Sequence, residues 1–261
     1  MALLERHVTN NIAHIRMTAP ERLNALSDAM IEALQATFDD IAQSDIRAVI
    51  LSGAGKAFCA GHDLREMQAG RQSPDKGAAY FKDLFDRCGR LMQTIQAIPQ
   101  PVIAAPHGIA TAAGCQLVAT CDLAIAAEGT RFGVNGVNIG LFCSTPMVAL
   151  TRTVPRKAAF DMLVTGRFID CTEARRIGLI NRAVPEPELL GAAEELAGVI
   201  AQKLSSAVRH GKRAFYEQSQ LTTAEAYAFA GEVMVNNMLD RDTDEGITAF
   251  LEKRAPDWAK S

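Results

Sequence analysis

A chain of 261 residues with 27 Lys and Arg against 30 Asp and Glu carries a formal charge of −3, which leaves no basic footprint for nucleic acid and is long enough for one large or two small domains with a sizeable core. Cysteines 59, 88, 115, 121, 143 and 171 form no C-x-x-C pair and have no His-rich companions, so neither a metal site nor a disulfide framework is expected, and a reducing compartment fits. The longest apolar run, around 109–127, is interrupted by Thr111, Gln116, Thr120 and Asp122, which argues against a bilayer span; the opening MALLERHVTNNIAHI turns charged too early for a signal sequence, so the expected location is cytoplasmic.

Residues 11–17 read as a strand and 19–24 as the loop after it. Ser27 then stands as an N-cap before Met30, Leu34, Phe38 and Ile41, which repeat at helical spacing and predict an amphipathic helix ending near 43–44. The apolar run Ala48-Val49-Ile50-Leu51 predicts a strand covered on both faces. After it comes a small-residue loop, 52–61, and then GRQSPDKG at 70–77, read as a mobile surface segment of the kind that acts as a lid. A helix is predicted over 78–98, with Phe81, Leu84, Phe85, Cys88, Leu91, Met92 and Ile95 inward and Pro99 and Pro101 ending it.

Strand 102–105 leads through Pro106-His107-Gly108 into the small residues 110–114 and a short helix ending near Cys121. Strand 123–127 follows. Gly136 and Gly140 break any regular element across 134–143, and a helix is expected to start at Ser144 or Thr145 with Pro146 in its first turn. Further helices are read from Pro155 to 165–166 and, capped by Thr172, to Arg176, with Gly178 closing the latter before a strand at 179–184. Beyond Pro185 the pattern is helical throughout: 187–204, 206–218, 223–239 and 244–253. Strands alternating with helices predict α/β architecture with crossover connections.

Two stretches carry the chemistry. SGAGKAFCAGHDLREM (52–67) and PVIAAPHGIATAAGCQLVATCDLAIAA (101–127) each place small residues after a buried strand. Loops of this kind leave backbone N–H groups free, and two such groups on one carbonyl oxygen make an oxyanion hole. Together with Asn24-Ala25-Leu26-Ser27, Cys121-Asp122-Leu123-Ala124, Arg131-Phe132-Gly133 and Phe250-Leu251-Glu252-Lys253-Arg254, in this order and spacing, the chain resembles the crotonase (enoyl-CoA hydratase/isomerase) superfamily over nearly its whole length.

That resemblance implies a spiral core of ββα repeats holding the acyl-CoA site (1–185) and a C-terminal helical region (186–261) that builds trimers, commonly paired into hexamers. It implies coenzyme A as part of the substrate, with no covalently bound cofactor. The backbone N–H groups of His62 and Ala113 fall at the family's two oxyanion donors. Leu26, Lys56, Ala60 and Arg65 fall at coenzyme A positions, and Phe250 and Lys253 where a neighbouring subunit's nucleotide is reached. Phe229, Val233, Met234 and Met238 suit a subunit interface and fit an intramolecular core equally.

The departure lies in the acid and base. Where hydratases of the family carry two catalytic carboxylates, this chain has Gln116 and Gly136. Hydration needs groups that take a proton from water and deliver one to carbon, and Gln116 can orient a water but cannot carry a proton. Asp122 reads as structural and Asp63 as part of its loop. Asn138, Cys115 and Cys143 lie near the implied acyl pocket, and Cys143 stands where a helix N-terminus can lower a thiol pKa, with His62 or His107 as a base. Three readings remain open: a hydratase/isomerase-family enzyme, a decarboxylase of malonyl-type thioesters, which need an enolate stabilised but no proton abstracted, and a non-catalytic acyl-CoA binder. The loop Ala60-Gly61-His62-Asp63 is similar to that of methylmalonyl-CoA decarboxylases, although the tyrosine of those enzymes corresponds to Cys143.

Overall fold

The structure, a computed structural model, describes residues 2–257. Its main sheet runs in the order β1 (Leu4–Thr9), β2 (Ile12–Met17), β3 (Ala48–Gly53), β4 (Val102–Ala105), β6 (Leu123–Ala127), β9 (Arg182–Val184). Only the β1–β2 pair is antiparallel. A smaller sheet holds β5 (Ile109–Thr111), β7 (Arg131–Gly133) and β8 (Phe168–Ile169). The helices are α1 (Asp28–Ala42), α2 (Leu64–Gly70), α3 (Ala78–Ala97), α4 (Ala113–Thr120), α5 (Ser144–Thr153), α6 (Arg156–Thr165), α7 (Cys171–Arg176), α8 (Leu189–Ala201), α9 (Ser205–Gln218), α10 (Thr223–Leu239) and α11 (Arg241–Leu251).

Alternation along a strand sends successive side chains to opposite faces, and β3 uses both. Val49 and Leu51 join a core with Leu34, Phe38 and Ile41 of α1 and Leu84, Cys88, Leu91 and Ile95 of α3. Ala48 and Ile50 face the other way, with Ile103, Ala105, Ile125 and Ala127, onto Leu189, Ala193 and Ala197 of α8. The first helix past residue 185 therefore covers the sheet itself. Ser27 caps α1 as expected, its hydroxyl accepting from the Met30 N–H at 3.2 Å.

Four local expectations change. Residues 71–77 are not a loose segment: Asp75 accepts from Gly77 and Ala79 N–H at 3.0 and 2.9 Å, and the turns before it close on Ala69, Gly70 and Ser73 carbonyls. The cap of α7 is Asp170, which accepts from Glu173 N–H at 2.8 Å, rather than Thr172. Residues 135–139 wind into a 3-10 turn despite Gly136. The small sheet and β1 are additions to the expected elements, because strands of two or three residues and a charged edge strand carry too little apolar pattern.

The tail is tied to the sheet by one buried cluster. Lys212 on α9, 8% exposed, donates to the Ile95 and Gln100 carbonyls at 2.8 and 2.9 Å and to Asp122 at 2.7 Å. Asp122 also accepts from Val102 N–H at 2.6 Å and from the Tyr216 hydroxyl at 2.8 Å, so its structural role stands. The ammonium satisfies carbonyls at the end of α3, and the carboxylate holds β4, β6 and α9 together. Removing one partner leaves the other charge buried alone, which typically costs about 3–5 kcal/mol. Lys212→Met should therefore lower stability in urea by about that amount; a loss under ~1 kcal/mol, the level of a surface ion pair, would show that the cluster does not hold the tail.

Candidate active site

β3 and β4 are neighbouring parallel strands, pairing Val49 with Val102 and Ser52 with Ala105, so the loops that leave them emerge side by side. The loops then lace together. Phe58 and Cys59 N–H donate to the His107 and Ile109 carbonyls at 3.1 and 3.2 Å, and Thr111 N–H returns to Cys59 at 3.0 Å. On the other flank, Ala60 N–H bonds Leu23 at 3.1 Å and Leu26 N–H bonds Gly61 at 2.7 Å.

The contact between the 59–61 segment and the first turn of α4 is closer than side chains permit. A Cβ on Gly114 would sit 2.1 Å from the Cys59 carbonyl oxygen, and one on Gly61 would meet Ala112 Cβ at 2.8 Å and Ala113 N at 3.2 Å. Gly61 also has φ +90°, which a side chain resists. Ala113 N thus lies against the residue before His62. Among the described residues no acceptor is found for the N–H of either His62 or Ala113. Ala112, the residue that aims Ala113, has φ 50° and ψ −119°, a conformation costing of order 1–3 kcal/mol for a residue with a Cβ. Its N–H is anchored to the Gly133 carbonyl at 2.9 Å.

The His62 ring is mostly enclosed. Nδ1 donates to the Leu26 carbonyl at 3.4 Å, the ring meets Phe85 edge-on at 5.7 Å, and Nε2 is buried without a partner. Burial pushes its pKa below the ordinary value, partly offset by the Leu26 carbonyl. The carboxylates around the loop are engaged: Asp63 caps α2 through Arg65 N–H at 2.9 Å and pairs with Arg22 at 3.0 Å, while Glu66 accepts from Asp28 N–H at 2.8 Å.

Gln116 lies one turn beyond Ala113 on the same side of α4, since residues three apart are neighbours on a helix. It is 3% exposed, its Oε1 has no partner, and no described residue hydrogen-bonds its amide. Gln100, equally buried, spends its amide on the Ile41 carbonyl at 2.8 Å. At Gly136 the space is filled: a Cβ would lie 2.4 Å from the Leu141 carbonyl oxygen and 2.8 Å from Cys143 Sγ. At both cysteines burial acts against a lowered thiol pKa. Burial pushes Cys115 up to about 12 and raises Cys143, with the Gly136 backbone offsetting only part of the latter. His107, considered as a base, spends Nε2 on the Gly55 carbonyl at 2.8 Å. Asn138 turns to the Gly166 carbonyl at 3.5 Å, and Asn135 accepts from the Thr111 hydroxyl at 2.7 Å.

The structure thus brings Ala60, His62, Ala113 and Gln116 together, with Lys56 and Arg65 exposed on the same loop and on α2. Leu26 belongs to the loops, its side chain fully buried in the core, so at the coenzyme A position that the resemblance implies it presents backbone rather than side chain. Phe250 and Lys253 are exposed at the end of α11, whose main packing is against α10. The roles of two further residues are not read from the sequence: Ala112, set by its backbone conformation, and Asn24, set by long-range bonds of its side-chain amide.

This chain belongs to the enoyl-CoA hydratase/isomerase family, whose sequence model matches residues 7–261. It is 44% identical over 251 residues to enoyl-CoA hydratase domain-containing protein 3, mitochondrial, of Rattus norvegicus, covering 96% of this chain and 82% of that protein. Among solved structures it is similar to an enoyl-CoA hydratase of Mycobacterium smegmatis, with TM-score 0.95 and 48% identity over 99% of this chain and 100% of the other. The human domain-containing protein 3 gives TM-score 0.93 and 42% identity over 98% and 100%. The crotonase fold expected from the sequence is borne out. No helix among the described residues is long and apolar enough to cross a membrane.

His62 also makes stability depend on pH. The folded protein holds the ring neutral, whereas the unfolded chain takes up a proton near 6.5, so the stability present above that pH is lost as pH falls through the lower folded pKa. His62→Gln should therefore show a shallower loss of urea midpoint between pH 6.5 and 5 than the parent, over a background that His14, also depressed by burial, contributes to both. Superimposable pH profiles would contradict the burial of the neutral ring.

Proposed function

We propose that this protein binds acyl-coenzyme A thioesters and polarises the thioester carbonyl between the N–H groups of His62 and Ala113, without the paired carboxylates of enoyl-CoA hydration. The observation that carries the reading is the contact of Gly61 and Gly114 with the facing loop, which leaves two unpaired N–H groups adjacent. Each donor of such a pair is worth about 2.7–4 kcal/mol on a developing oxyanion. Lys56 and Arg65 on the exposed rim suit the phosphates of coenzyme A, which on this reading enters as part of the substrate.

The acyl end is uncharged. Gln116 is neutral, Cys143 Sγ crowds the place where a side chain at 136 would begin, and His62 is held neutral by burial. This favours a second reading within the same site, decarboxylation of a malonyl-type thioester: the bond from the α-carbon to the carboxylate breaks, carbon dioxide leaves, the electron pair enters the enolate held by the two N–H groups, and the α-carbon then takes a proton from solvent water. A panel of crotonyl-, methylmalonyl- and 3-hydroxybutyryl-CoA with products read by mass spectrometry separates the readings. Tight binding with no turnover on any of them would leave the binder reading in place.

Hydration of crotonyl-CoA by the unaltered protein should be close to the uncatalysed rate. Gln116→Glu with Gly136→Glu, the restoration the sequence suggests, should fail, because any side chain at 136 collides with the Leu141 carbonyl. Gln116→Glu with Cys143→Asp, whose carboxylate begins from the sulfur's position, should instead raise hydration by about 10² or more. Robust hydration by the parent would overturn the proposal.

The tail supports assembly. α10 has no buried residue, and Tyr227, Met234, Val235, Met238 and Leu239 are more than half exposed, more contiguous apolar surface than a monomer usually shows to water. On this reading residues 186–261 contribute the subunit contact, and Phe250 and Lys253 reach a neighbour's nucleotide. Sedimentation should give a trimer or hexamer that Met238→Glu weakens; a stable monomer would contradict it. The cytoplasm is the proposed location; fractionation of cells expressing the tagged protein tests it, and recovery with mitochondria would overturn it.

A further inference from the structure

We infer that Asn24 is a positioning residue for the His62 donor: its side chain fixes the loop that aims that N–H, and polarisation of the thioester depends on it. The inference rests on the thioester reading above. Asn24 is fully buried, and both its amide donors and its oxygen bond to backbone on two separate loops. Oδ1 accepts from Ala19 N–H at 3.0 Å, and Nδ2 donates to the Ala54 carbonyl at 2.9 Å and to the Ala57 carbonyl at 2.8 Å. The 19–26 loop is thereby fastened to the start of the segment that ends in His62. Two further bonds complete the same lacing, Ala60 N–H to Leu23 at 3.1 Å and Leu26 N–H to Gly61 at 2.7 Å.

The backbone shows that this fastening is held against resistance. Leu23 and Asn24 are consecutive residues with positive φ, 54° and 51°, a conformation that costs free energy for residues with a Cβ and persists where the surroundings over-determine it. Gly53 makes the room: a Cβ there would lie 2.8 Å from Asn24 Nδ2 and 2.7 Å from the Phe58 carbonyl oxygen. No other residue type combines the left-handed backbone with two donors and an acceptor at this reach; aspartate has the shape and lacks the donors.

The test is spectroscopic, so that it does not depend on knowing the reaction. A conjugated thioester, cinnamoyl-CoA, absorbs further to the red when its carbonyl is polarised by hydrogen bonds. The unaltered protein should shift this band on binding. Asn24→Gly, which suits the positive φ and deletes the clamp, should bind free coenzyme A within about threefold of the parent and lose most of the shift. Asn24→Ser, which restores one donor, should recover part of it. A full shift in Asn24→Gly would overturn the inference while leaving the thioester reading intact. Should neither variant fold by circular dichroism and thermal melting, Asn24 holds the fold rather than aims the donor, and the inference falls. Absence of any shift in the parent would instead remove the thioester reading and this inference with it.

Discussion

The arrangement depends on one close approach, that of the first turn of α4 to the 59–61 segment, where neither Gly61 nor Gly114 has room for a methyl group. Packing this tight is available only to backbone against backbone, and it explains features that otherwise look unrelated. The strained Ala112 is the bend that brings the turn in; the parallel β3–β4 pairing delivers both loops to the same end of the sheet; Asn24 and Gly53 hold the outer flank. Each of these has a local cost. Together they leave the backbone N–H groups at 62 and 113 side by side without an acceptor among the described residues.

The acyl side shows the opposite economy. The positions that the resemblance assigns to hydratase carboxylates hold an amide with no partner among the described residues and a glycine whose side-chain space holds a neighbour's sulfur. The two positions differ in kind. Gln116 has the shape of a glutamate without its charge, whereas position 136 is closed sterically, the 135–139 turn meeting Leu141 through a 2.9 Å bond from Leu141 N–H to the Gly136 carbonyl. A charge can be returned to the first by one substitution, and the second would need the turn itself to change.

Much of this was legible in the sequence because it is written in side-chain pattern. The α1 cap, the two-faced β3, the inward row of α3 and the order of the small-residue loops follow from periodicity and residue type. What was not legible lies in backbone geometry and long-range pairing. Thr172 and Asp170 are both good caps, and only the path of the chain after β8 selects Asp170. Cys143 looked like a thiol at a helix start, and enclosure, invisible in one dimension, turned it into packing. Ala112 is an ordinary alanine until its φ is known, and the three short strands of the small sheet acquire meaning only from the partners they meet.

The Lys212 cluster also orders events in time. Asp122 and the ammonium that satisfies it are separated by 90 residues, and Lys212 lies 117 residues from the Ile95 carbonyl it caps. At translation rates of about 5–20 residues per second, the carboxylate leaves the ribosome roughly 5–18 seconds before its counter-ion. Until α9 emerges, that carboxylate lacks both the ammonium and the Tyr216 hydroxyl it holds in the folded protein, so its final hydrogen bonds form only when most of the chain has been made.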